Sequence, residues 1–238
     1  MKGLFITATG TEVGKTLMAC GLARLLAGQN ISVGVMKPFA SGGKKIGESK
    51  FISEDAVFLK QAAYSQDLLE TINPICYQKP LAPYLASRFE KKQYSIHLVW
   101  DAYQKISSQH DFVIVEGVGG VQVPLTADWN VLGLIKKMKM PVIVVCSAKL
   151  GTINHTLLTL EALQQNKIDV AGIILNCYDS RSVTDQTNRA YFQEKKISIL
   201  AAVPFQKLFQ KNINNLAHFL KEQPKIKQLL LSRPICKE

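Results

Sequence analysis

The chain has 238 residues, room for one large α/β domain or two small ones, with 47% hydrophobic and 20% charged residues, an ordinary globular mix. Its net charge of +11 comes from scattered lysines such as Lys44-Lys45, Lys91-Lys92, Lys136-Lys137 and Lys195-Lys196, with no long basic run interleaved with aromatics, which argues against a nucleic-acid reader. No apolar run reaches bilayer-spanning length, and an apolar strand begins straight after Lys2 with no small-residue cleavage site, so a cytoplasmic protein with no signal peptide and no membrane association is expected.

In chain order, residues 3–8 read as the first strand and 15–28 as the first helix. Ile31 to Met36 is a second apolar strand, closed by Lys37-Pro38, where proline stops regular structure. Ser41-Gly42-Gly43-Lys44-Lys45 has the composition of a flexible loop. Ser53 is a candidate helix cap ahead of Glu54-Asp55-Ala56-Val57. Residues 71–84 hold three prolines and read mainly as loop, with a short helix opening near Leu81, and 95–108 carry a helical period. Asp111 to Glu116 is a continuous apolar run closed by an acid, the pattern of a buried parallel strand, and Pro141 to Cys146 is another. Thr152 to Gln164 reads as helix, Val170 to Leu175 as a strand ending at Asn176, and 184–195 as helix. Ile197 to Val203 is the last strand, stopped by Pro204, and 212–231 form a closing helix with a kink or break at Pro224. Strands alternating with helices predict one α/β domain over 1–238, a mostly parallel sheet with helices on both faces in three layers. Of the five cysteines, Cys20, Cys146 and Cys177 lie in apolar stretches and no Cys-x-x-Cys pair occurs, so small buried hydrophobes are expected.

Ligands of such sheets bind where the strands end. The first strand runs into Thr9-Gly10-Thr11-Glu12-Val13-Gly14-Lys15-Thr16 and then into a helix, the context of a phosphate-binding P-loop. Free amides at the helix start point at an anion. Gly14 allows close backbone approach, Lys15 adds charge at the β- and γ-phosphates, and Thr16 is placed to ligate Mg²⁺. The loop deviates from the usual spacing: Thr9 stands where the first glycine is expected and Gly10 comes one residue late. Glu116, at the tip of a buried strand, is read as facing Mg²⁺ rather than as capping the next turn. Two readings of Asp55 stay open: a metal ligand, or a charge that favours a helix N-terminus. Lys37 could reach a phosphate or a developing negative charge; without context it would be a solvated turn lysine. Gly117, Gly119 and Gly120 could leave amides open to an anion or simply make a turn. His155 reads as structural. No Ser-His-Asp spacing, His-Glu-x-x-His motif or cysteine cluster occurs, which leaves phosphoryl chemistry.

Together these blocks resemble the dethiobiotin synthetase family. The matching segments are Phe5 to Thr16, Met36-Lys37-Pro38-Phe39-Ala40-Ser41-Gly42, Ser53-Glu54-Asp55-Ala56, Val115-Glu116-Gly117-Val118-Gly119-Gly120, Lys149-Leu150-Gly151-Thr152-Ile153-Asn154-His155-Thr156 and Ile174-Leu175-Asn176. Ala8 and Gly10 depart from residues the family often has there, and the segment after Pro204 matches poorly. The resemblance implies conversion of 7,8-diaminononanoate, CO₂ and MgATP to dethiobiotin, ADP and phosphate, through a carbamate and a carbamic–phosphoric anhydride. It implies Thr16, Asp55 and Glu116 as Mg²⁺ ligands, and Lys15 and Lys37 as charges on the carbamate and the transferring phosphoryl group. It further implies Thr11, Glu12, Val13, Gly14, Asn176 and Pro204 around the nucleotide, with Asn176 reading adenine. Thr11, Ser41 and Gly119 would lie at the substrate, whose carboxylate is held across a homodimer interface by Gly151 and Asn154 of the other subunit. Rival readings are a partitioning-type switch ATPase, which carries a signature lysine where this chain has Gly10, and a cobyrinate-type amide synthase, which needs a glutaminase domain.

Overall fold

Buried apolar runs build the centre of the molecule. The computed structural model describes residues 3–46 and 50–231. Its elements are β1 (Gly3–Ala8), α1 (Lys15–Ala27), β2 (Val33–Met36), β3 (Phe39–Ala40), β4 (Lys44–Ile46), β5 (Lys50–Ile52), α2 (Glu54–Ala63), α3 (Leu69–Ile72), β6 (Ile75–Cys76), α4 (Pro83–Phe89) and α5 (His97–Gln109). They continue with β7 (Phe112–Glu116), α6 (Val131–Met138), β8 (Val142–Ser147), α7 (Thr152–Gln165), β9 (Val170–Tyr178), α8 (Val183–Glu194), β10 (Ile199–Pro204), α9 (Lys207–Lys211), α10 (Ile213–Lys221) and α11 (Pro224–Leu231).

The main sheet has six strands in the order β10-β9-β8-β1-β7-β2, and every pairing is parallel. β1 and β7 are buried along their whole length, which is why their sequences are apolar without alternation. Successive side chains still point to opposite faces. Leu4, Ile6 and Ala8 pack with α1, α2, α10 and α11 on one face. Phe5 packs with residues of α5, α6, α7 and α8 on the other. The three layers expected from the sequence are therefore present, as one α/β domain of P-loop architecture.

Several boundaries differ from the expectations. The glycine-lysine segment expected to be flexible passes into β4, which pairs antiparallel with β5. Residues 71–84 hold the end of α3, β6 and the start of α4, with Pro83 in its first turn, where a missing N–H does no harm. Helix α6 was not expected; the Asn130 side chain caps it by accepting from Gly133 N at 2.8 Å. Strand β9 runs past Asn176 to Tyr178, with Cys177 at φ 56°. The closing helix is broken at Pro224 as expected, and the short α9 precedes it. Cys20 and Cys146 are buried and free, whereas Cys76 and Cys177 are half-buried; Cys236 lies outside the described residues, as does Lys2.

Candidate active site

The carboxyl ends of three adjacent strands, β1, β7 and β2, meet the start of α2. After β1 the chain turns through Glu12 at φ 59° and Gly14 at φ 90° before α1 begins at Lys15. Gly14 is required here for space as well as conformation: a Cβ would lie 2.0 Å from Asn176 Nδ2. Helix α1 has no side-chain cap and no acid in its first turn, so its free amides and positive dipole end are left for an outside anion. Helix α2 is the opposite case. Ser53 Oγ accepts from Ala56 N at 3.5 Å, and Glu54 and Asp55 occupy the first turn. That cap aims the Asp55 carboxylate at the end of β2.

Lys37 follows β2 with its backbone pinned on both sides: its N–H donates to Ile72 O at 2.7 Å, and its carbonyl accepts from Asn73 Nδ2 at 2.7 Å. Its ammonium is buried and spends all three donors. They go to Glu116 Oε1 at 2.6 Å, Asp55 Oδ2 at 2.7 Å and Gly117 O at 3.1 Å. The Thr16 hydroxyl lies 2.7 Å from Glu116 Oε1 and 3.0 Å from Asp55 Oδ1. Four residues spread along the chain from Thr16 to Glu116 thus share one hydrogen-bonded cluster. Burial alone would push the Lys37 ammonium down, but the Glu116 and Asp55 carboxylates outweigh it and hold its pKa above the usual lysine value. Asp55 is the mirror case: burial would raise it, and the Lys37 ammonium and Thr16 hydroxyl bring it below the usual carboxylate range. Lys15 is buried at the start of α1; burial and then the nearby Lys37 charge lower its pKa.

The cluster offers hard oxygen donors: the Thr16 hydroxyl and the Asp55 and Glu116 carboxylates. Glu116 Oε2 is buried with no hydrogen-bond partner, an acceptor left over inside the site. Oxygens of this kind fit Mg²⁺.

The other expected site residues lie around this centre. Thr11 and Glu12 are exposed on the loop, Val13 is half-buried, and Ser41 is half-buried just after β3. Gly119 sits at φ 58° in the loop after β7, which passes the end of β1. Asn176 is buried on β9, opposite Val203 of β10 and one residue from Pro204. Its amide Nδ2 donates to Val13 O at 2.9 Å, so Asn176 braces the phosphate loop directly. Gly151, at φ 91°, starts α7, another helix with no side-chain cap and no acid in its first turn; Gly151 and Asn154 are exposed. Among the described residues, no hydrogen bond or ion pair joins Gly151 or Asn154 to the Lys37 cluster. Sequence reasoning missed Asn73, which holds Lys37, and Asn188, whose Nδ2 donates to Ala148 O at 2.9 Å and so anchors the turn before α7. The Asn73-Pro74 dipeptide marked a turn, but nothing in it named Lys37 as the partner.

Known proteins decide between the chemistries such a site could carry. The family described as an AAA domain matches residues 2–212. The ATP-dependent dethiobiotin synthetase of Nitrosopumilus maritimus is 35% identical over 224 residues, covering 90% of this chain and 97% of that protein. This chain belongs to the dethiobiotin synthetase family. More distant likeness shows how widely the fold is shared. A plasmid partition protein from Borrelia burgdorferi superposes with TM-score 0.58 at 14% identity, covering 98% of this chain and 99% of that one. Cobyrinic acid a,c-diamide synthase from Mycobacterium smegmatis, with bound ADP and magnesium, superposes with TM-score 0.56 at 14% identity, covering 93% of each chain. These correspond to the two rival readings, and at that identity they establish the fold alone. Among the described residues no helix is long and apolar enough to cross a membrane.

Proposed function

We propose that this chain is an ATP- and Mg²⁺-dependent ligase that carboxylates 7,8-diaminononanoate with CO₂ and closes the ureido ring of dethiobiotin, releasing ADP and phosphate. Membership of the synthetase family gives the reaction class. The observation that carries the finer reading is the meeting of Lys37, Asp55, Glu116 and Thr16 beside the uncapped start of α1.

In this reading one amine captures CO₂ as a carbamate, whose oxygen attacks the γ-phosphoryl group of ATP. The second amine then attacks the carbon of the mixed anhydride, closing the ring and expelling phosphate. The protein's part is positioning and charge. Amides of Val13 to Thr16 hold the phosphates, and Lys15 and Lys37 offset charge on the carbamate and the transferring group. Thr16, Asp55 and Glu116 would hold Mg²⁺, which when bound offsets charge on the triphosphate. Thr11, Ser41 and Gly119 line the diamine side. Glu12, Asn176 and Pro204 border the nucleotide, Asn176 beside the base.

The protein would act as a homodimer, with Gly151 and Asn154 of the other subunit receiving the substrate carboxylate. The support is physical: α7 begins as α1 does, with a left-handed glycine, no cap and no acid, which suits an anion. Leu150, next to Gly151, is 89% exposed.

ATP-dependent fixation of labelled bicarbonate onto 7,8-diaminononanoate tests the assignment. Lys37→Ala is expected to lose most of that activity while still binding ATP. Undiminished product from this variant would remove Lys37 from the mechanism. A switch ATPase would instead turn over ATP without the diamine.

A further inference from the structure

We propose that the Lys37 ammonium is a built-in counter-ion for the metal-binding carboxylates, so that loading the divalent cation and freeing Lys37 are one event. The inference rests on the proposed reading of Thr16, Asp55 and Glu116 as metal ligands. Both carboxylates already hold a cation: Lys37 Nζ is 2.6 Å from Glu116 Oε1 and 2.7 Å from Asp55 Oδ2. The Thr16 hydroxyl is turned on the same carboxylates, 2.7 and 3.0 Å away. The hydroxyl's single proton goes to one of those acids, and its oxygen lone pairs stay available to a metal. A divalent ion at these oxygens and an ammonium at these distances repel each other at close range, so one displaces the other.

The chain is built for that exchange. The Lys37 backbone is fixed by Ile72 O, Asn73 Nδ2 and the following Pro38, so only the flexible four-carbon stem has to swing. Three donors are spent on three acceptors, and the buried Glu116 Oε2 remains unused, so the ammonium leaves part of the acid's capacity unfilled. Once displaced, Lys37 has lost both counter-ions, and its charge is available to an incoming anion. The coupling is reciprocal: metal loading favours an anion at Lys37, and an anion that draws Lys37 away favours the metal.

Two measurements, neither using the diamine, test this. The first is Mn²⁺ binding without nucleotide, followed by loss of the free-ion electron paramagnetic resonance signal. Lys37→Met should bind Mn²⁺ at least about tenfold more tightly than wild type, equal to about 1.4 kcal/mol. Equal or weaker binding by a folded variant overturns the proposal. The second uses the wild-type protein and so does not depend on any variant folding. Buried, triply bonded Lys37 should give a slowly exchanging ammonium cross-peak in ¹⁵N-lysine spectra, identified by its loss in Lys37→Arg. Saturating Mg²⁺ should shift or abolish that peak; a Lys37 signal indifferent to Mg²⁺ overturns the proposal. A protein that makes no dethiobiotin can still pass both tests, and one that makes it can fail both, so the two readings fall separately.

Discussion

The two ends of the sheet solve the same backbone problem with different residues. At the carboxyl end, left-handed turns fall on Gly14, Gly119 and Gly151, alongside the non-glycine Glu12 and Cys177. At the amino end, where helices return to strands, they fall on Asn30, Lys139, Lys167 and Lys196. Asn30, Lys167 and Lys196 are closed by the same six-to-one bond: Ile31 N to Leu26 O, Ile168 N to Leu163 O and Ile197 N to Phe192 O. The geometry is satisfied equally well at both ends. The difference is what comes close. A side chain at Gly14 would run into Asn176, whereas Lys167 and Lys196 point into solvent. Charge is divided the same way. Lys37 and Glu116 are buried against each other, while the amino-end lysines sit exposed at helix C-termini, where the dipole favours them. Glycine and buried charge together mark the end that handles ligand; a left-handed backbone by itself does not.

The strongest way to break this contrast is to remove charge from the buried end. Glu116→Gln leaves the Lys37 ammonium with only the part-exposed Asp55 as a charged partner, and breaking a buried pair costs about 3–5 kcal/mol. A loss near the lower figure is expected in urea unfolding, together with a raised Mg²⁺ requirement. A variant as stable as wild type, with an unchanged Mg²⁺ titration, would mean the burial of this acid does not matter. Gly14→Ala comes next. The left-handed conformation costs an L-residue about 1–2 kcal/mol, and the added Cβ displaces Asn176 Nδ2 from Val13 O. Nucleotide affinity, read by calorimetry with ADP, should fall well beyond that stability loss, because the phosphate loop itself moves.

Much of this end was legible in the sequence, and the reasons are physical. An apolar run closed by one acid reads as a buried strand, and β7 from Phe112 to Glu116 is that. Gly14-Lys15-Thr16 and Lys37-Pro38 announced themselves because glycine and proline constrain the backbone wherever they stand. The bond from Lys37 to Glu116 was not legible, since 79 residues separate the two and only the parallel pairing of β2 with β7 brings them together. Asn73, Asn176 and Asn188 were missed as braces because each acts on a backbone carbonyl, which leaves no mark on the partner's residue type. Helix α6 went unseen although Asn130 offered a cap; the exposed β4 went unseen because its two lysines, following Gly42 and Gly43, look like solvated loop.

A smaller effect sharpens the contrast through pH. Asp55 has a depressed pKa when folded, so its stabilisation is present above the ordinary carboxylate value, about 3.9, and is lost as pH falls through the lower folded value. Lys37 has a raised one, so its contribution is complete below the ordinary lysine value, about 10.4, and is lost only as pH rises through the higher folded value. Wild type should therefore melt above Asp55→Asn at neutral pH, with the gap closing on acidification below the ordinary carboxylate value. A gap that persists unchanged to the most acid pH at which both fold would show that the Asp55 charge is not its source.

The smallest expected effect is the most direct test of the amino end. Lys196 is exposed at φ 56°, and its own N–H bonds to Gln193 O at 2.9 Å, as a glycine's would. Replacing it by glycine removes the left-handed penalty of about 1–2 kcal/mol. It also makes the unfolded chain more flexible, which offsets about 0.4–1 kcal/mol, and deletes a cation that favours the helix end by about 0.3–1 kcal/mol. These contributions nearly cancel, leaving a net within about 1 kcal/mol of zero, seen as a melting temperature close to wild type with bicarbonate fixation unchanged. Lys167→Gly, closed by the same bond, should behave alike. If instead either variant lost activity while remaining folded, the amino end would be carrying a role beyond turn geometry, and the division of labour between the two ends would have to be redrawn.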